Sequence, residues 1–209
     1  MPTLIKTDIY AILGEEFSQG RSNIEVTREL IKAGVQIIQY REKEKKAGEK
    51  YRECLAIREL TKKAGVQFIV NDDVDIAVLV GADGVHIGQE DLPIEAVREL
   101  VGPQMVIGVS THSPEQGRDA VDRGADYIGV GPIFPTKTKK DVCSPVGLEY
   151  LDWVVANLDI PFVAIGGIKE HNIEQVAQRG ARCICLVTEI LGASDIPAMV
   201  QGLRQRIQG

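Results

Sequence analysis

Short runs of apolar residues alternate with longer amphipathic stretches along the whole chain. Eight such runs occur, at about residues 8–13, 36–41, 67–71, 84–88, 105–110, 126–131, 161–166 and 182–187. Each run is nearly continuous in apolar residues, as expected for strands of a parallel sheet that is covered on both faces. The pattern therefore predicts eight parallel β-strands.

The stretches between these runs have the polarity pattern of amphipathic helices. In residues 47–64, for example, apolar side chains from Tyr51 to Leu60 recur at approximate helical spacing among charged ones. A glycine commonly follows such a stretch, as Gly65 does, at the position typical of a helix C-cap. We expect a last helix at about residues 195–208.

Eight alternating strand and helix units in 209 residues predict the α/β class and a single (β/α)₈ TIM barrel. We find no linker or low-complexity segment, so residues 1–209 are predicted to form one domain. The alternative is an open doubly wound sheet. That fold usually has a glycine-rich phosphate-binding turn early in the chain, and no G-x-G-x-x-G follows the first predicted strand here.

Composition and charge narrow the classes of partner. The net charge of -6 opposes binding to nucleic acid and to anionic membranes, so we expect neither as a partner. No apolar run approaches the roughly 20 residues that span a bilayer, and the N-terminal residues lack the apolar region of a secretory signal.

The four cysteines form no C-x-x-C pair. Cys183 and Cys185 are expected to be small buried residues in a reduced, cytoplasmic protein.

The segment from Gly131 to Asp141 follows the sixth predicted strand. It contains two prolines, two threonines and three lysines, and we expect a stiff loop with no residue in the core. Hydroxyl and ammonium donors in a loop after a barrel strand are suited to holding phosphate oxygens. A solvated surface loop is the alternative interpretation.

The end of the second predicted strand carries a cationic face. On an extended chain Gln39, Arg41 and Lys43 point to one side, and Tyr40 and Glu42 point to the other. Burying an amide and two cations together is costly without an anion, and a diphosphate is a natural partner for a guanidinium and an ammonium group. Ion pairing with the neighbouring glutamates is the alternative.

Two aspartates follow neighbouring strands. Asp72 comes after the third predicted strand and Asp91 after the fourth, and adjacent strands lie about 4.8 Å apart. Carboxylate oxygens beside a diphosphate suit Mg²⁺, which usually takes one or two carboxylates together with phosphate and water. The alternatives are that these aspartates cap the following helices, or that Asp73 replaces Asp72 as a ligand.

Ser110 is at the end of the fifth predicted strand. No G-x-S-x-G surrounds it and no general base is evident in the sequence, so we interpret it as a hydrogen-bond donor to phosphate and not as a nucleophile. His86 is expected to be a packed barrel residue, and His112 a structural or capping residue.

The last two strands supply a second candidate anion site. Gly166 and Gly167 follow the seventh predicted strand, and their lack of side chains allows the backbone to approach a ligand closely. Barrels often bind phosphate with the loops after strands seven and eight, and Thr188 ends the eighth. A simple tight turn is the alternative for the glycine pair.

Together these segments resemble the thiamine-phosphate synthase family. The matching pieces appear in the family's order and span about residues 8–190. They are Gln39-x-Arg41-x-Lys43, Asn71-Asp72, residues 84–91, residues 108–112, residues 135–139 and residues 164–168.

The resemblance implies a (β/α)₈ transferase that joins a pyrimidine carrying a methyl diphosphate to a thiazole phosphate, with Mg²⁺ as cofactor. The residues implied for the pyrimidine diphosphate are Gln39, Tyr40, Arg41, Glu42, Lys43, Asn71, Ser110 and Lys139. Those implied for the thiazole phosphate are Thr136, Lys137, Thr138, Gly167, Val187 and Thr188. Asp72 and Asp91 are implied to bind the metal.

The family mechanism is dissociative, so the diphosphate leaves before the thiazole nitrogen attacks. Such a step needs no enzyme nucleophile, and it needs stabilisation of the departing diphosphate. The resemblance assigns that role to Mg²⁺, Arg41, Lys43 and Lys139, with Ser110 as a further donor.

The chain departs from the family pattern at two places. After the eighth strand the family often has a serine and a small residue, whereas this chain has Thr188-Glu189, which brings a negative charge near the expected phosphate. The first strand ends Leu13-Gly14-Glu15, without the Thr-Asp of the family. The alternative functions are a thiazole tautomerase of the same superfamily, a non-catalytic sensor of thiamine precursors, and a barrel enzyme acting on another sugar phosphate.

Overall fold

The computed structural model describes residue 4, residues 6–138 and residues 143–208. The strands are β1 Ile9–Leu13, β2 Ile37–Tyr40, β3 Gln67–Asn71, β4 Gly84–Ile87, β5 Val106–Thr111, β6 Tyr127–Val130, β7 Phe162–Ala164 and β8 Ile184–Leu186. Each strand pairs in parallel with the next one in the chain, and β8 pairs with β1. The sheet is therefore a closed barrel.

Helices follow the strands and surround the barrel. They are α1 Asn23–Lys32, α2 Ala47–Ala64, α3 Val74–Val80, α4 Ile94–Val101, α5 Pro114–Asp122, α6 Gly147–Asn157, α7 Ile173–Gln178, α8 Thr188–Leu191 and α9 Ile196–Gln208. A 3₁₀ helix at Glu15–Phe17 lies between β1 and α1. In the part of the chain that the structure describes, no helix combines the length and the apolar character needed to cross a membrane.

The predicted (β/α)₈ barrel is confirmed, and the open doubly wound sheet is excluded because β1 and β8 are paired. Every predicted strand overlaps its observed counterpart, with ends that differ by at most two residues. The predicted last helix is α9. The 3₁₀ helix and the short α8 were not predicted, since three or four residues are too few to show a helical period.

Local signals account for where the elements begin and end. Ser22 caps α1 in a capping box with Glu25, which satisfies two backbone groups at the helix start. Ser113 caps α5, and Pro114 occupies its first turn. Gly65 ends α2 with φ 68°, a left-handed conformation that glycine adopts without steric cost.

Two apolar layers hold the barrel together. The interior is filled by side chains that include Tyr10, Ile37, Tyr127 and Cys185, and the larger layer lies between the strands and the helices. Cys183 and Cys185 are both buried, as predicted. Burial raises the pKa of the Cys185 thiol well above its usual value, so this side chain stays protonated and acts as a small apolar group.

The expectation that the loop after β6 contributes nothing to the core is wrong. Ile133 is only 1% exposed, and Phe134 packs against the same core. Their backbone N–H groups donate to Ile165 O and Gly166 O, both at 2.9 Å. The first part of this loop therefore extends the pairing between β6 and β7, and its polar part begins only at Pro135.

Ion pairs clamp the bottom of the barrel, at the N-terminal ends of strands. Asp126 precedes β6, and its carboxylate accepts hydrogen bonds from the Arg98 guanidinium and from Ile107 N at 2.8 Å. Asp83 precedes β4, and its carboxylate likewise accepts hydrogen bonds from the Arg58 guanidinium and from Phe68 N. Holding helices against strands in this manner is a structural task, because barrel enzymes place their chemistry at the opposite end.

Replacing Arg98 by methionine is expected to lower the free energy of unfolding by about 2 kcal/mol, because the largely buried Asp126 carboxylate loses its charged partner. Urea denaturation measures this change. Arg123→Met is the matched control, since its ion pairs with Glu95 and Asp119 are exposed, and its midpoint should barely move. Equal effects of the two substitutions would contradict a special role for the Asp126 clamp.

Candidate functional site

A cavity of about 650 Å³ opens at the C-terminal ends of the strands. Residues from the ends of all eight strands or the loops after them line it, together with Tyr10 and Tyr127 from the barrel interior. This is the end of a (β/α)₈ barrel at which ligands bind, because the loops there vary without disturbing the core.

The cationic face predicted after β2 is present. Gln39, Arg41 and Lys43 line the cavity, whereas Tyr40 and Glu42 point to the helix layer. The Tyr40 hydroxyl donates to Glu53 Oε2 at 2.6 Å, and Glu42 accepts from Glu15 N at 2.8 Å. The side chains of Tyr40 and Glu42 therefore do not line the cavity, and a contact of either residue with a substrate stays a prediction.

A group of ionised side chains holds the loop after β2 from its outer side. The Lys45 ammonium lies 2.7 Å from Glu15 Oε2 and 2.5 Å from Glu53 Oε1. Burial works to raise the pKa of the Glu53 carboxyl, but hydrogen bonds from Lys45, Tyr40 and Asn23 lower it overall. These contacts use Glu42 and Glu53 on the outside of the loop, which leaves Arg41 and Lys43 directed inward.

The two candidate metal ligands, Asp72 and Asp91, line the same cavity. Asp72 has φ 60°, a left-handed conformation that aspartate tolerates better than most residues. Its backbone N–H donates to His86 O at 2.9 Å, and its carboxylate contacts the Lys43 ammonium. The Asp91 carboxylate accepts from Gly88 N at 2.7 Å, which fixes the turn after β4.

The alternatives for these aspartates have less support. Asp73 is bound by the Lys50 ammonium at 2.8 Å and does not line the cavity, so it is badly placed to replace Asp72. It occupies the N-cap position of α3 but makes no side-chain capping bond. Among the described residues no group of three metal-ligating side chains occurs. Two carboxylates fit Mg²⁺, since that ion takes its remaining ligands from phosphate and water.

Ser110 lines the cavity and is hydrogen-bonded to a residue within the barrel. Its Oγ lies 2.9 Å from His86 Nε2, and His86 Nδ1 lies 2.9 Å from the Tyr127 hydroxyl. His86 was expected to be a packing residue, and it is instead hydrogen-bonded at both ring nitrogens beside the cavity. His112 also lines the cavity, and its Nδ1 lies 2.5 Å from Gly131 O; a structural role for this side chain stays a prediction.

The loop after β6 forms the other end of the cavity. Thr136 and Thr138 line it, with their hydroxyl oxygens 3.1 Å apart. A contiguous recess of about 630 Å³ is lined by both threonines, Lys137 and Gly167. Lys139, which the resemblance assigns to the diphosphate, lies outside the described residues.

Gly166 and Gly167 allow the two loops to meet. Their φ angles are 99° and 65°. A Cβ atom on Gly167 would lie 2.6 Å from Pro135 O and 2.7 Å from Phe134 O, which is too close for any side chain. The predicted close approach is therefore present, but it is made by the loop after β6, and it shapes the wall of the recess.

The negative charge of Glu189 is compensated. Its carboxylate lies 3.0 Å from the Lys169 ammonium and accepts from Glu170 N at 2.8 Å. Lys169 also donates to Thr188 Oγ1 at 2.7 Å. Val187 and Thr188 both line the cavity, so the departure from the family pattern brings an ion pair to this end of the site and not an isolated negative charge.

Sequence reasoning missed several cavity residues. Lys169 follows the glycine pair closely, and a cation at that place was a usable signal for an anion site. Tyr10 and Tyr127 are the aromatic members of otherwise aliphatic strands, and alternation along β1 places Tyr10 on the interior face. Gln89, whose amide donates to Ser110 O at 2.6 Å, carried no recognisable signal.

Comparison with known proteins gives consistent matches. A family model described as thiamine monophosphate synthase matches residues 9–190. The thiamine-phosphate synthase of Pelotomaculum thermopropionicum is 67% identical over 201 residues, which cover 96% of this chain and 92% of that protein. The thiamine-phosphate synthase of Lawsonia intracellularis is 58% identical over 203 residues, which cover 97% and 94%. The solved structure of thiamine phosphate pyrophosphorylase from Pyrococcus furiosus superposes with a TM-score of 0.88 at 35% identity, covering 97% of this chain and 96% of that one.

Proposed function

The chain belongs to the thiamine monophosphate synthase family, and we propose that its cavity joins a pyrimidine diphosphate to a thiazole phosphate to form thiamine phosphate and diphosphate. The activity, that of a transferase in thiamine biosynthesis, follows from similarity to synthases over nearly the full chain. The observation that carries the assignment of substrates is the division of one cavity into a cationic end beside two carboxylates and a hydroxyl-rich end.

The cationic end holds the diphosphate of the pyrimidine substrate. Arg41 can bind two oxygens through its planar guanidinium, and Lys43 supplies a second positive charge. Asn71 and Ser110 line the same part of the cavity and offer uncharged donors. These groups stabilise the charge that develops on the diphosphate as it leaves.

Asp72 and Asp91, which both line the cavity, would hold Mg²⁺. The bound ion would neutralise charge on the phosphate oxygens. In the structure the Lys43 ammonium contacts Oδ2 of the Asp72 carboxylate, so this oxygen accommodates a positively charged group. Lys43, on the same side of the loop as Arg41, would supply its positive charge to the diphosphate as well.

Thr136, Thr138 and the backbone at Gly167 form the end that holds the thiazole phosphate. Lys169 supports this end with its positive charge. Residues of both proposed phosphate sites line the one cavity of about 650 Å³, so both substrates can lie in it together. Holding them together supplies much of the rate acceleration, because it removes the entropic cost of their encounter.

The bond between the pyrimidine methylene carbon and the diphosphate oxygen breaks first, and its electron pair leaves with the diphosphate. The thiazole nitrogen then donates its lone pair to the methylene carbon. No nucleophile from the chain takes part. Ser110, whose Oγ lies 2.9 Å from His86 Nε2, acts in this mechanism as a hydrogen-bond donor to the diphosphate and forms no covalent bond with substrate.

The test is direct. Purified protein is incubated with both substrates and Mg²⁺, and thiamine phosphate and released diphosphate are measured, with EDTA as control. Metal-dependent formation of both products in equal amounts is the expected result. Isomerisation of the thiazole without product would favour the tautomerase, and binding without turnover would favour the sensor. A cytoplasmic location remains a separate proposal, which cell fractionation tests.

Replacing Lys169 by methionine is expected to raise the KM for the thiazole phosphate about tenfold or more, because Glu189 then stands uncompensated beside the phosphate site. The double variant Lys169→Met with Glu189→Gln should recover part of the loss, since it removes the unpaired negative charge. Steady-state kinetics with the thiazole phosphate varied measures both. A double variant no better than Lys169→Met alone would contradict an electrostatic origin of the loss.

A further inference from the structure

A line of hydrogen-bonded side chains crosses the interior of the barrel below the cavity. Gln39 Nε2 lies 2.8 Å from the Tyr10 hydroxyl, which lies 3.0 Å from the Tyr127 hydroxyl. Tyr127 continues to His86 Nδ1 at 2.9 Å, and His86 Nε2 continues to Ser110 Oγ at 2.9 Å. Five strands contribute one residue each, so the line connects opposite walls of the barrel.

The order of donors along this line follows from the chemistry of its first member. The Gln39 amide nitrogen can only donate, so Tyr10 accepts from it. The Tyr10 hydroxyl is buried and its other described partner is Tyr127, so its own hydrogen is satisfied only when it is donated to Tyr127. Tyr127 then gives its hydrogen to His86 Nδ1. Burial raises the pKa of both phenols well above the ordinary value, so both tyrosines keep the hydrogens that this order requires.

The consequence for His86 is a fixed tautomer. Because Nδ1 accepts from Tyr127, the ring hydrogen is on Nε2 and is donated to Ser110 Oγ. The Ser110 oxygen is therefore an acceptor toward His86, and its own hydrogen is available to the cavity that Ser110 lines. The direction of the whole line therefore leaves the Ser110 hydroxyl as a hydrogen-bond donor at the cavity.

The neighbouring backbone is built to admit this line. Gly108 pairs with Tyr127 in the register of β5 and β6, and a Cβ atom on Gly108 would overlap the phenol ring of Tyr127. At Gly129 a Cβ atom would lie 3.4 Å from the His86 ring, which is an ordinary contact. Gly108 is therefore the position at which the absence of a side chain makes room for the line.

We propose that Tyr127 is a positioning residue of the synthase: it fixes the Nε2–H tautomer of His86 and so reserves the Ser110 hydroxyl hydrogen for an oxygen of the pyrimidine diphosphate. The identity of the ligand in this proposal rests on the function proposed above. The tautomer of His86 does not depend on that function. Without the Tyr127 hydroxyl, His86 can carry its hydrogen on Nδ1. Ser110 would then donate to the unprotonated Nε2, and the diphosphate would lose a donor.

The kinetic test is a double-mutant cycle of Tyr127→Phe and Ser110→Ala. Each single variant is expected to lower kcat/KM for the pyrimidine diphosphate roughly tenfold, as for loss of one hydrogen bond to a charged group. The double variant should be no worse than Ser110→Ala, because Tyr127 acts through Ser110. Additive losses would overturn the proposal, since they would mean that Tyr127 contributes only by packing.

Tyr150→Phe is the matched control. Its hydroxyl is also in a buried hydrogen bond, to Thr111 Oγ1 at 2.8 Å, but it lies on α6 outside the barrel. It should change kcat/KM for the pyrimidine diphosphate by less than about twofold. A loss equal to that of Tyr127→Phe would overturn the specific role of Tyr127.

Nitrogen-15 NMR of the imidazole rings separates failure of this proposal from failure of the proposed function. The chain has three histidines, and a His86→Gln variant assigns the signal of His86. The unliganded protein should show His86 as Nε2–H, and Tyr127→Phe should shift its population toward Nδ1–H, whether or not the protein forms thiamine phosphate. A His86 that is Nδ1–H in the unmodified protein would overturn the proposal even if the synthase is active.

Discussion

Replacing Asp72 by asparagine is expected to lower kcat/KM roughly a thousandfold, because we propose that the charge of this side chain holds Mg²⁺ at the diphosphate. The change is nearly isosteric, and asparagine tolerates the φ of 60° found at this position. The fold should therefore survive, and circular dichroism checks that it does. Activity is measured across a titration of Mg²⁺, in which a weaker metal site appears as a shift of the half-saturating concentration.

Asp73→Asn is the control for this experiment. The residue is adjacent in sequence and also carries a carboxylate, but that carboxylate is bound by Lys50 and does not line the cavity. We expect its kcat/KM to stay within about threefold of the unmodified protein. If Asp73→Asn lost as much activity as Asp72→Asn, or if Asp72→Asn kept full metal response, the assignment of the metal to Asp72 would be wrong.

Replacing Gly167 by alanine is expected to raise the KM for the thiazole phosphate about a hundredfold. A methyl group there would collide with Pro135 O and Phe134 O, and the φ of 65° is unfavourable for alanine. The loop after β6 must then move away, which disturbs Thr136 and Thr138. The KM for the pyrimidine diphosphate should change less than about twofold, because we propose that this substrate binds at the other end of the cavity.

Gly202→Ala provides the comparison. Gly202 lies inside α9, and a Cβ atom there would have no neighbour within 4 Å. Alanine is favoured over glycine in a helix interior by about 1 kcal/mol, so this variant should be slightly more stable and fully active. If Gly167→Ala raised the KM values of both substrates equally, its effect would be a general loss of structure and not a defect of the thiazole phosphate site.

The barrel could be predicted from the sequence because its strands are buried on both faces. Continuous apolar runs such as Ile37–Tyr40 indicate buried parallel strands when they recur at regular spacing with amphipathic stretches between them. Polar residues at the ends of those runs must then lie together at one end of the barrel. Arg41, Asp72 and Ser110 were found in this way, from topology and not from any local motif alone.

What the sequence did not reveal depends on contacts between distant residues. The line from Gln39 to Ser110 joins five strands that are spread over the chain, and the ion pair of Lys169 with Glu189 joins residues that follow β7 and β8. A lysine after one strand and a glutamate after the next are ordinary polar residues until their distance is known. Ile133 was likewise missed because its burial follows from the approach of β7, which a loop-like composition does not indicate.

The overlap between Gly108 and Tyr127 also bears on how this barrel can change over evolutionary time. The phenol ring occupies the space that any side chain at position 108 would need. A larger residue at 108 is therefore acceptable only after position 127 has become smaller, and that second change discards a hydroxyl on which His86 depends. We expect the two positions to covary among descendants of this sequence, with glycine kept wherever the tyrosine is kept.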